Sequence, residues 1–386
     1  MSPALHIGFI PLVDAAALII AVDKGFTAAE GLDVNLVREV SWSNVRDKLN
    51  IGLFDAAHLL APVAIASSLG LGHVKVPITA PFNLGVNGNA ITVSPALHAA
   101  IMAEIDGDRF DPLATARALA RVVAKRRKAG AEPLTFGMTF PFSTHNYQLR
   151  FWMAAGGVDP DEDVHLVVLP PPYMVDSLAN GHVDAFCVGA PWNSVAVDRG
   201  IGLILHFVSD ILVRAAEKVL AIRQSWSERN PDVVASLVRA ATRAAEFIEE
   251  PANRAEAAAI LAQPERIGVD AEVIRRTLDG RLKVSPDGAM RESARYLLVG
   301  REAATRPDPT QAAWLYAQMA RWGQTAVSPE ALKTAMAVFR PDLYDAALGK
   351  RGNQVAGAIG AFAGPVFDPR DIKGYLASFA IPRRVP

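Results

Sequence analysis

Residues 5–37, which read LHIGFIPLVDAAALIIAVDKGFTAAEGLDVNLV, decide the fold class. Residues 5–11 form a short apolar run typical of a β-strand, residues 14–24 predict a helix, and residues 31–37 predict a second strand. A strand, a helix and a strand at this spacing form a parallel βαβ unit. The stretch therefore begins a doubly wound α/β lobe.

The same alternation continues along the chain. The next cycle has a helix over 44–53, a strand around 55–58 and a helix over 61–69. After a basic, Ala-rich helical stretch, the pattern restarts with predicted strands over 134–140, 165–169, 183–188 and 201–207, and predicted helices over 146–155, 174–178 and 192–199. The sequence therefore predicts a second α/β lobe inside the chain.

The C-terminal part, from residue 225 onward, has an almost wholly helical, Ala-rich pattern. Such helices cannot form a parallel sheet of their own, so we expect them to pack on the first lobe. This predicts lobe 1 as residues 1–91 and 223–386, lobe 2 as residues 92–222, and crossings near residues 91–94 and 218–222. The two lobes enclose a cleft lined by helix N-termini, which suits an anion.

Composition excludes several classes of protein. The 39 Lys and Arg residues balance 40 Asp and Glu residues, and 51% of the chain is hydrophobic, as in a near-neutral globular protein. Nucleic acid is therefore a poor direct partner. A single cysteine, Cys187, excludes an internal disulfide framework. Residues 1–6 hold no Lys or Arg, and the apolar run over 15–22 is too short for a bilayer, which predicts a cytoplasmic protein without a membrane partner.

The common signatures of enzymes are missing from the sequence. It has no Gly-x-Gly-x-x-Gly, no phosphate loop, no His-Glu-x-x-His and no Gly-x-Ser-x-Gly. Its eight histidines are scattered, without a pair at helical metal-ligand spacing. Cys187 lies in the middle of an apolar run and is expected to be an inert buried thiol. We therefore predict no catalytic residue, no metal site and no cofactor.

Four residues lie where the pattern places the cleft. His145 falls in the first turn of a predicted helix, and Trp42 and Trp192 follow predicted strands. Each has an ordinary alternative, because His145 also suits a surface helix start and the two tryptophans also suit core packing. Lys218 begins an apolar strand, where a lysine is usually solvated. Spacing alone leaves these alternatives open.

A family resemblance rests on several motifs taken together. They are IGFIPLVDAA at 7–16, SWSNVRDKL at 41–49, NGNAITVS at 87–94, THNYQLRFW at 144–152, AFCVGAPWN at 185–193, EKVL at 217–220 and FRPDLY at 339–344. The chain resembles the nitrate-binding receptors of ABC transporters and their cytoplasmic relatives from about residue 5 to residue 344. The resemblance implies the two-lobed periplasmic-binding-protein-like fold of type II. Within the family, the sequence looks most similar to the NasS-type sensors of nitrate and nitrite.

The resemblance also implies the ligand-binding residues. The family's anion pocket maps onto Trp42, His145 and Lys218, and more loosely onto Asn87 and Gly88. Nitrate only accepts hydrogen bonds, so its burial requires several donors and a compensating cation. Lys218 would supply the charge, and Trp42, His145 and Asn87 would supply directional N–H groups.

Glu217 is the acid beside these motifs. Because side chains alternate along a strand, we expect Glu217 to point away from Lys218. An acidic residue in the lining would instead favour a metal-assisted bicarbonate site.

The sequence and the resemblance together predict a cytoplasmic sensor of nitrate or nitrite without catalytic activity. By resemblance, it sequesters a NasT-like, ANTAR-type antitermination regulator and releases it on anion binding, which controls nitrate-assimilation genes. One alternative is the substrate-binding receptor of a nitrate, nitrite or bicarbonate ABC transporter. A second is an enzyme similar to a thiamine-pyrimidine synthase, which uses pyridoxal phosphate and iron.

Overall fold

A computed structural model describes residues 4–349 and 359–381. The first segment of the chain alternates strands and helices, as the apolar pattern predicts. In chain order these are Leu5–Phe9 (β1), Ala16–Asp23 (α1), Phe26–Ala29 (α2), Val34–Arg38 (β2), Trp42–Asn50 (α3), Ala56–Leu60 (β3), Ala61–Leu69 (α4) and Ile78–Asn87 (β4). A 3₁₀ turn at Val13–Ala15 follows the first strand.

The second segment repeats the alternation. Its elements are Asn89–Val93 (β5), Pro95–Glu104 (α5), Pro112–Lys128 (α6), Thr135–Met138 (β6), Thr144–Gly156 (α7), His165–Val168 (β7), Met174–Ala179 (α8), Ala185–Gly189 (β8), Trp192–Asp198 (α9), Leu203–Phe207 (β9) and Val208–Ile211 (α10).

The third segment begins with a strand and continues mainly as helices. Its elements are Ala216–Arg223 (β10), Gln224–Arg229 (α11), Pro231–Glu249 (α12), Arg254–Leu261 (α13), Ala271–Asp279 (α14), Arg281–Lys283 (β11), Met290–Glu292 (β12), Leu297–Leu298 (β13), Pro309–Arg321 (α15), Pro329–Val338 (α16), Pro341–Leu348 (α17) and Ile372–Ala377 (α18). Arg383 and Arg384, at the basic C-terminal end, lie outside the described residues.

Two sheets define the two lobes. Lobe 1 has the strand order β13-β4-β10-β3-β1-β2, and lobe 2 has the order β7-β6-β8-β5-β9. In lobe 1, β1 pairs in parallel with β2 and β3, as the opening βαβ unit requires. The predicted two-lobed α/β fold of the periplasmic-binding-protein type is therefore confirmed.

The chain crosses between the lobes earlier than predicted. The first crossing lies at Gly88, between the end of β4 and the start of β5, and the second lies between Phe207 and Ala216. Asn87 and Gly88 have φ angles of 62° and 92°, so the backbone turns through the left-handed region at the crossing. The predicted second crossing, residues 218–222, instead belongs to β10, which pairs with β3 and β4 inside lobe 1.

The helical third segment covers lobe 1. Helix α12 buries one face, formed by Val234, Leu237, Val238, Ala241, Ala245 and Ile248, and packs against α1. The expectation of an almost wholly helical segment needs one correction, because β13 extends the sheet of lobe 1 and β11 pairs with β12. None of the described helices is long and apolar enough to span a lipid bilayer.

Candidate functional site

Lys218 lies at the centre of a buried polar cluster between the lobes. Strand β10 carries it between β3 and β4, and its side chain is fully buried. The pairing of β10 with β4 shifts register on both sides of Lys218. Such an irregularity breaks the alternation of side chains along a strand. The neighbouring Glu217 therefore approaches Lys218, and the prediction that it points away is wrong.

Two carboxylates hold the Lys218 ammonium group. Its Nζ lies 2.9 Å from Oδ2 of Asp14 and 3.0 Å from Oε1 of Glu217. The same Nζ lies 5.4 Å from the ring centroid of Trp42, a cation–π distance. Burial lowers the pKa of Lys218, but the two carboxylates outweigh this effect, so the pKa lies above its usual value. The lysine remains charged inside the protein.

Asp14 is a member of this cluster that the sequence does not single out. It lies in the 3₁₀ turn after β1, where its backbone passes close to Gly85, and a Cβ at Gly85 would lie only 2.8 Å from the Cβ of Asp14. Burial raises the pKa of Asp14, but Lys218 and His58 more than offset this, and the pKa falls well below its usual value. Asp14 is therefore ionised at neutral pH and faces Lys218 as an anion.

His58 fixes the second oxygen of Asp14. Its Nε2 lies 2.9 Å from Oδ1 of Asp14, while its Nδ1 accepts the backbone N–H of Ile10 at 3.4 Å. The accepting Nδ1 places the ring proton on Nε2, so a neutral imidazole can donate to the carboxylate. Burial lowers the pKa of His58. The available sequence signals were an aspartate in the turn between β1 and α1 and a histidine within β3.

Glu217 connects the two lobes. Although it lies on a strand of lobe 1, its Oε2 accepts hydrogen bonds from Nδ2 of Asn89, at 2.7 Å, and from the hydroxyl of Thr144, both in lobe 2. Its Oε1 lies 3.3 Å from Nδ1 of His145. Burial raises the pKa of Glu217, and the Lys218 ammonium only partly offsets that rise.

His145 begins α7 in the manner that the sequence predicts. Ser143 caps the helix by accepting the backbone N–H of Asn146, which places His145 in the first turn. Nδ1 lies 3.0 Å from the hydroxyl oxygen of Thr139. Nε2 has no hydrogen-bond partner, and it is a donor in the tautomer that carries the ring proton on Nε2. Burial holds the pKa of His145 well below its usual value, so the ring is neutral.

Trp42 begins α3 in the same way on the opposite lobe. Ser41 caps that helix by accepting the N–H of Asn44 at 3.2 Å, and Trp42 is 1% exposed. Its ring packs edge-on against His58 with centroids 5.3 Å apart. The indole Nε1 has no hydrogen-bond partner. Trp42 is thus both part of the lobe 1 core and a buried donor.

The cluster therefore contains side-chain nitrogens from both lobes that have no hydrogen-bond partner. They are Nε1 of Trp42, Nε2 of His145 and Nε2 of Gln148, whose Oε1 accepts from Asn89 at 3.3 Å. A buried N–H group without an acceptor is unfavourable by about 1–3 kcal/mol. The arrangement is suited to a small molecule that accepts several hydrogen bonds beside a cation.

Asn87 and Gly88 have a different role from the predicted one. The Nδ2 of Asn87 donates to the backbone oxygens of Val213, at 3.1 Å, and Arg295, at 2.9 Å, and its Oδ1 accepts the N–H of Ala215. Gly88 donates its N–H to the oxygen of Tyr296. Both residues thus hold the interlobe crossing, and no amide hydrogen of Asn87 is left for a ligand.

Cys187 lies in the interior of lobe 2, and Trp192, which follows it in sequence, is half-buried. Trp192 packs against the apolar cores, and its Nε1 has no hydrogen-bond partner. Cys187 is fully buried in β8, and burial raises the pKa of its thiol well above the usual value. Among the described residues, no group of three His, Cys, Asp or Glu side chains is placed to hold a metal ion.

Comparison with known proteins places this architecture in a family. Residues 1–262 match the profile of the NMT1-like family. The chain belongs to the NMT1-like family. This NMT1-like chain is also 31% identical to the nitrate/nitrite binding protein NrtA of Synechococcus elongatus, over 96% of the chain and 84% of that protein. It is 28% identical to the bicarbonate-binding protein CmpA of the same species, over 98% of the chain and 87% of CmpA.

A solved structure supports the assignment. The crystal structure of the periplasmic nitrate-binding protein NrtA from Synechocystis PCC 6803 superposes with a TM-score of 0.88 at 28% identity, covering 97% of this NMT1-like chain and 98% of that one. The chain also matches ATP-binding proteins for nitrate import and bicarbonate transport, and it spans 56% and 55% of their length. It thus corresponds to part of those longer relatives.

Proposed function

We propose that this protein binds a small oxyanion of the nitrate class in its interlobe cleft and acts as the substrate-binding component of an ABC-type transport system. One observation carries the proposal: a fully buried lysine, Lys218, shares a cluster with side-chain nitrogens of Trp42, His145 and Gln148 that have no hydrogen-bond partner. The relatives NrtA, a nitrate/nitrite binding protein, and CmpA, a bicarbonate-binding protein, support the ligand class.

The chemistry of nitrate suits these groups. The ion is a planar monoanion without donors, so each of its oxygens requires an N–H or O–H partner once water is excluded. Trp42 is contributed by lobe 1 and His145 by lobe 2. An anion that bonds to both would stabilise the closed arrangement of the lobes, because it contacts both lobes only when they are closed.

Isothermal titration calorimetry with nitrate, nitrite, bicarbonate and chloride tests the proposal. We expect nitrate or nitrite to bind the wild-type protein and to bind His145→Gln at least tenfold more weakly, since that variant changes a donor in the cleft. His165→Gln, in the exposed start of β7, is the matched control and should bind like the wild type. Absence of binding by all four anions, or equal affinity of both variants, would contradict the proposal.

The sequence analysis makes a more specific prediction, that the protein is a cytoplasmic sensor that sequesters a NasT-like antitermination regulator. This stays a prediction. Its support is the resemblance of the motifs at 41–49 and 144–152. Size-exclusion chromatography of the protein mixed with such a regulator tests it. A complex that forms without nitrate and dissociates with nitrate supports the sensor. If no complex forms, the sensor function is contradicted and the transport receptor is the function that stands. The names of the relatives describe binding and transport, and they lend the enzyme alternative no support.

A further inference from the structure

The buried cluster around Lys218 holds more negative than positive charge. Asp14 and Glu217 both contact the one ammonium group at about hydrogen-bond distance, 2.9 and 3.0 Å, and all three side chains are 2% exposed or less. A nitrate ion beside Lys218 would add another negative charge to this cluster. Burying uncompensated charge is strongly unfavourable, and the usual response is that a group changes its protonation state.

The other titratable groups that face Glu217 are not expected to change their protonation state when the anion binds. Asp14 stays ionised because Lys218 and His58 hold its pKa below the usual value. On α7, burial lowers the pKa of His145 and keeps it neutral, and on β8 burial raises the pKa of the Cys187 thiol. His58, behind Asp14, has a lowered pKa. Glu217 is the carboxylate of this set whose pKa is raised by burial, so it is the one that takes up a proton most readily.

Glu217 also stands where a nitrate ion would compete with it. As a carboxylate it accepts from Lys218, from Asn89 and from the Thr144 hydroxyl. A nitrate ion requires the same kind of donors. When a proton from solvent forms an O–H bond on Glu217, the side chain loses its charge and gains one donor for the anion.

From this geometry we propose that Glu217 takes up one proton when nitrate binds and that the protonated side chain then donates a hydrogen bond to the ion. The inference rests on the proposed function. Nitrate has no hydrogen and only accepts hydrogen bonds, so the protonated form of Glu217 suits it and the ionised form repels it. The charge state of Glu217 would thus favour nitrate binding at low pH.

Calorimetry in two buffers with different ionisation enthalpies counts the protons directly. For nitrate and the wild-type protein we expect uptake of about one proton, and an affinity that falls about tenfold per pH unit above the pKa of Glu217. Glu217→Gln, which keeps the shape and adds an amide donor, should bind nitrate without proton uptake and with an affinity independent of pH.

Glu39→Gln is the matched control. Glu39 is a buried carboxylate near the same cleft, paired with Lys48 rather than with Lys218, so this variant should retain the proton uptake of the wild type. The melting temperature of each variant shows whether it is folded. The number of protons taken up by the wild-type protein is measured without any variant. Nitrate binding without proton uptake from about pH 5 to pH 9, or uptake that persists in Glu217→Gln, would overturn this inference but leave the proposed function intact. Absence of anion binding would overturn both.

Discussion

Two buried cations of the protein, Lys218 and Arg321, lie in different surroundings. Lys218, in the cleft, contacts two carboxylates and has a raised pKa. Arg321, at the end of α15, has no ion pair within the described residues and lies against aromatic rings, with its guanidinium carbon 3.6 Å from the ring centroid of Phe379 and 5.2 Å from that of Phe151. Burial lowers the pKa of Arg321 to about 10.

The difference separates a binding role from a packing role. Phe151 belongs to α7 of lobe 2 and Phe379 to the C-terminal segment, so Arg321 fills the space where three parts of the chain meet. Aromatic rings attract a cation without exchanging protons or accepting strong hydrogen bonds. The carboxylates of Asp14 and Glu217 do both. A ligand can therefore change the partners of Lys218, whereas the surroundings of Arg321 are fixed by packing.

The largest expected effect comes from Lys218→Met. It leaves Asp14 and Glu217 buried without their cation, and breaking a buried ion pair in this way lowers the free energy of unfolding by about 3–5 kcal/mol. Urea denaturation at neutral pH measures the loss. Adding Glu217→Gln to the same chain should recover part of the stability but no nitrate binding. A loss below about 1 kcal/mol would show that water reaches the cluster.

The second-largest effect is expected from protonation of Asp14 in acid, measured as the pH dependence of the free energy of unfolding. Its pKa is lowered in the folded protein, so its contribution to stability is present above the unfolded value of about 3.8 and is lost as pH falls through the folded pKa. We expect the free energy of unfolding to fall by up to about 1.4 kcal/mol per pH unit below about pH 4 from this group. Asp14→Asn should show a flatter acid limb, and equal slopes in both proteins would contradict the assignment.

Trp42→Phe should have a smaller effect, confined to the ligand. The ring over Lys218 is kept, but the unpartnered Nε1–H is lost. One hydrogen bond contributes about 0.5–1.5 kcal/mol, so nitrate affinity should fall by up to about tenfold. Calorimetry measures it, with Trp226→Phe in α11 as the control outside the cleft. Unchanged affinity in Trp42→Phe would remove the indole from the binding site.

The smallest effect is expected for Arg321→Met. Methionine fills a similar volume. The variant loses a cation–π attraction of about 2 kcal/mol, but it no longer buries an unpaired charge, and the two effects oppose each other. The free energy of unfolding should therefore change by no more than about 1 kcal/mol. Nitrate affinity should not change. A loss as large as that of Lys218→Met, measured by the same urea titration, would abolish the contrast between the two cations.

Much of the fold and part of the site could be predicted from local sequence. Residues 5–37 gave the opening βαβ unit because apolar periodicity is a local property. Ser41 and Ser143 are capping residues followed by helical patterns, so Trp42 and His145 could be placed at helix starts. The structure then brings both into one cluster with Lys218.

The remainder depends on register and on distant contacts. The irregular pairing of β10 with β4, which turns Glu217 toward Lys218, is set by neighbours more than a hundred residues away in sequence. The bonds that occupy Asn87 come from Val213, Ala215 and Arg295, again far along the chain. Neither the position of the Glu217 side chain nor the hydrogen bonds of Asn87 could be predicted from the neighbouring residues in sequence.

The register shift in β10 also has a kinetic consequence. Because it places Glu217 beside Lys218 on one strand, the lysine keeps a carboxylate partner whatever the separation of the lobes, and Asp14 adds a second within lobe 1. An approaching anion therefore meets a site without net positive charge. Long-range electrostatic attraction contributes little to such an encounter. The association rate constant for nitrate should accordingly change little with ionic strength, and discrimination among anions should lie in the dissociation rate.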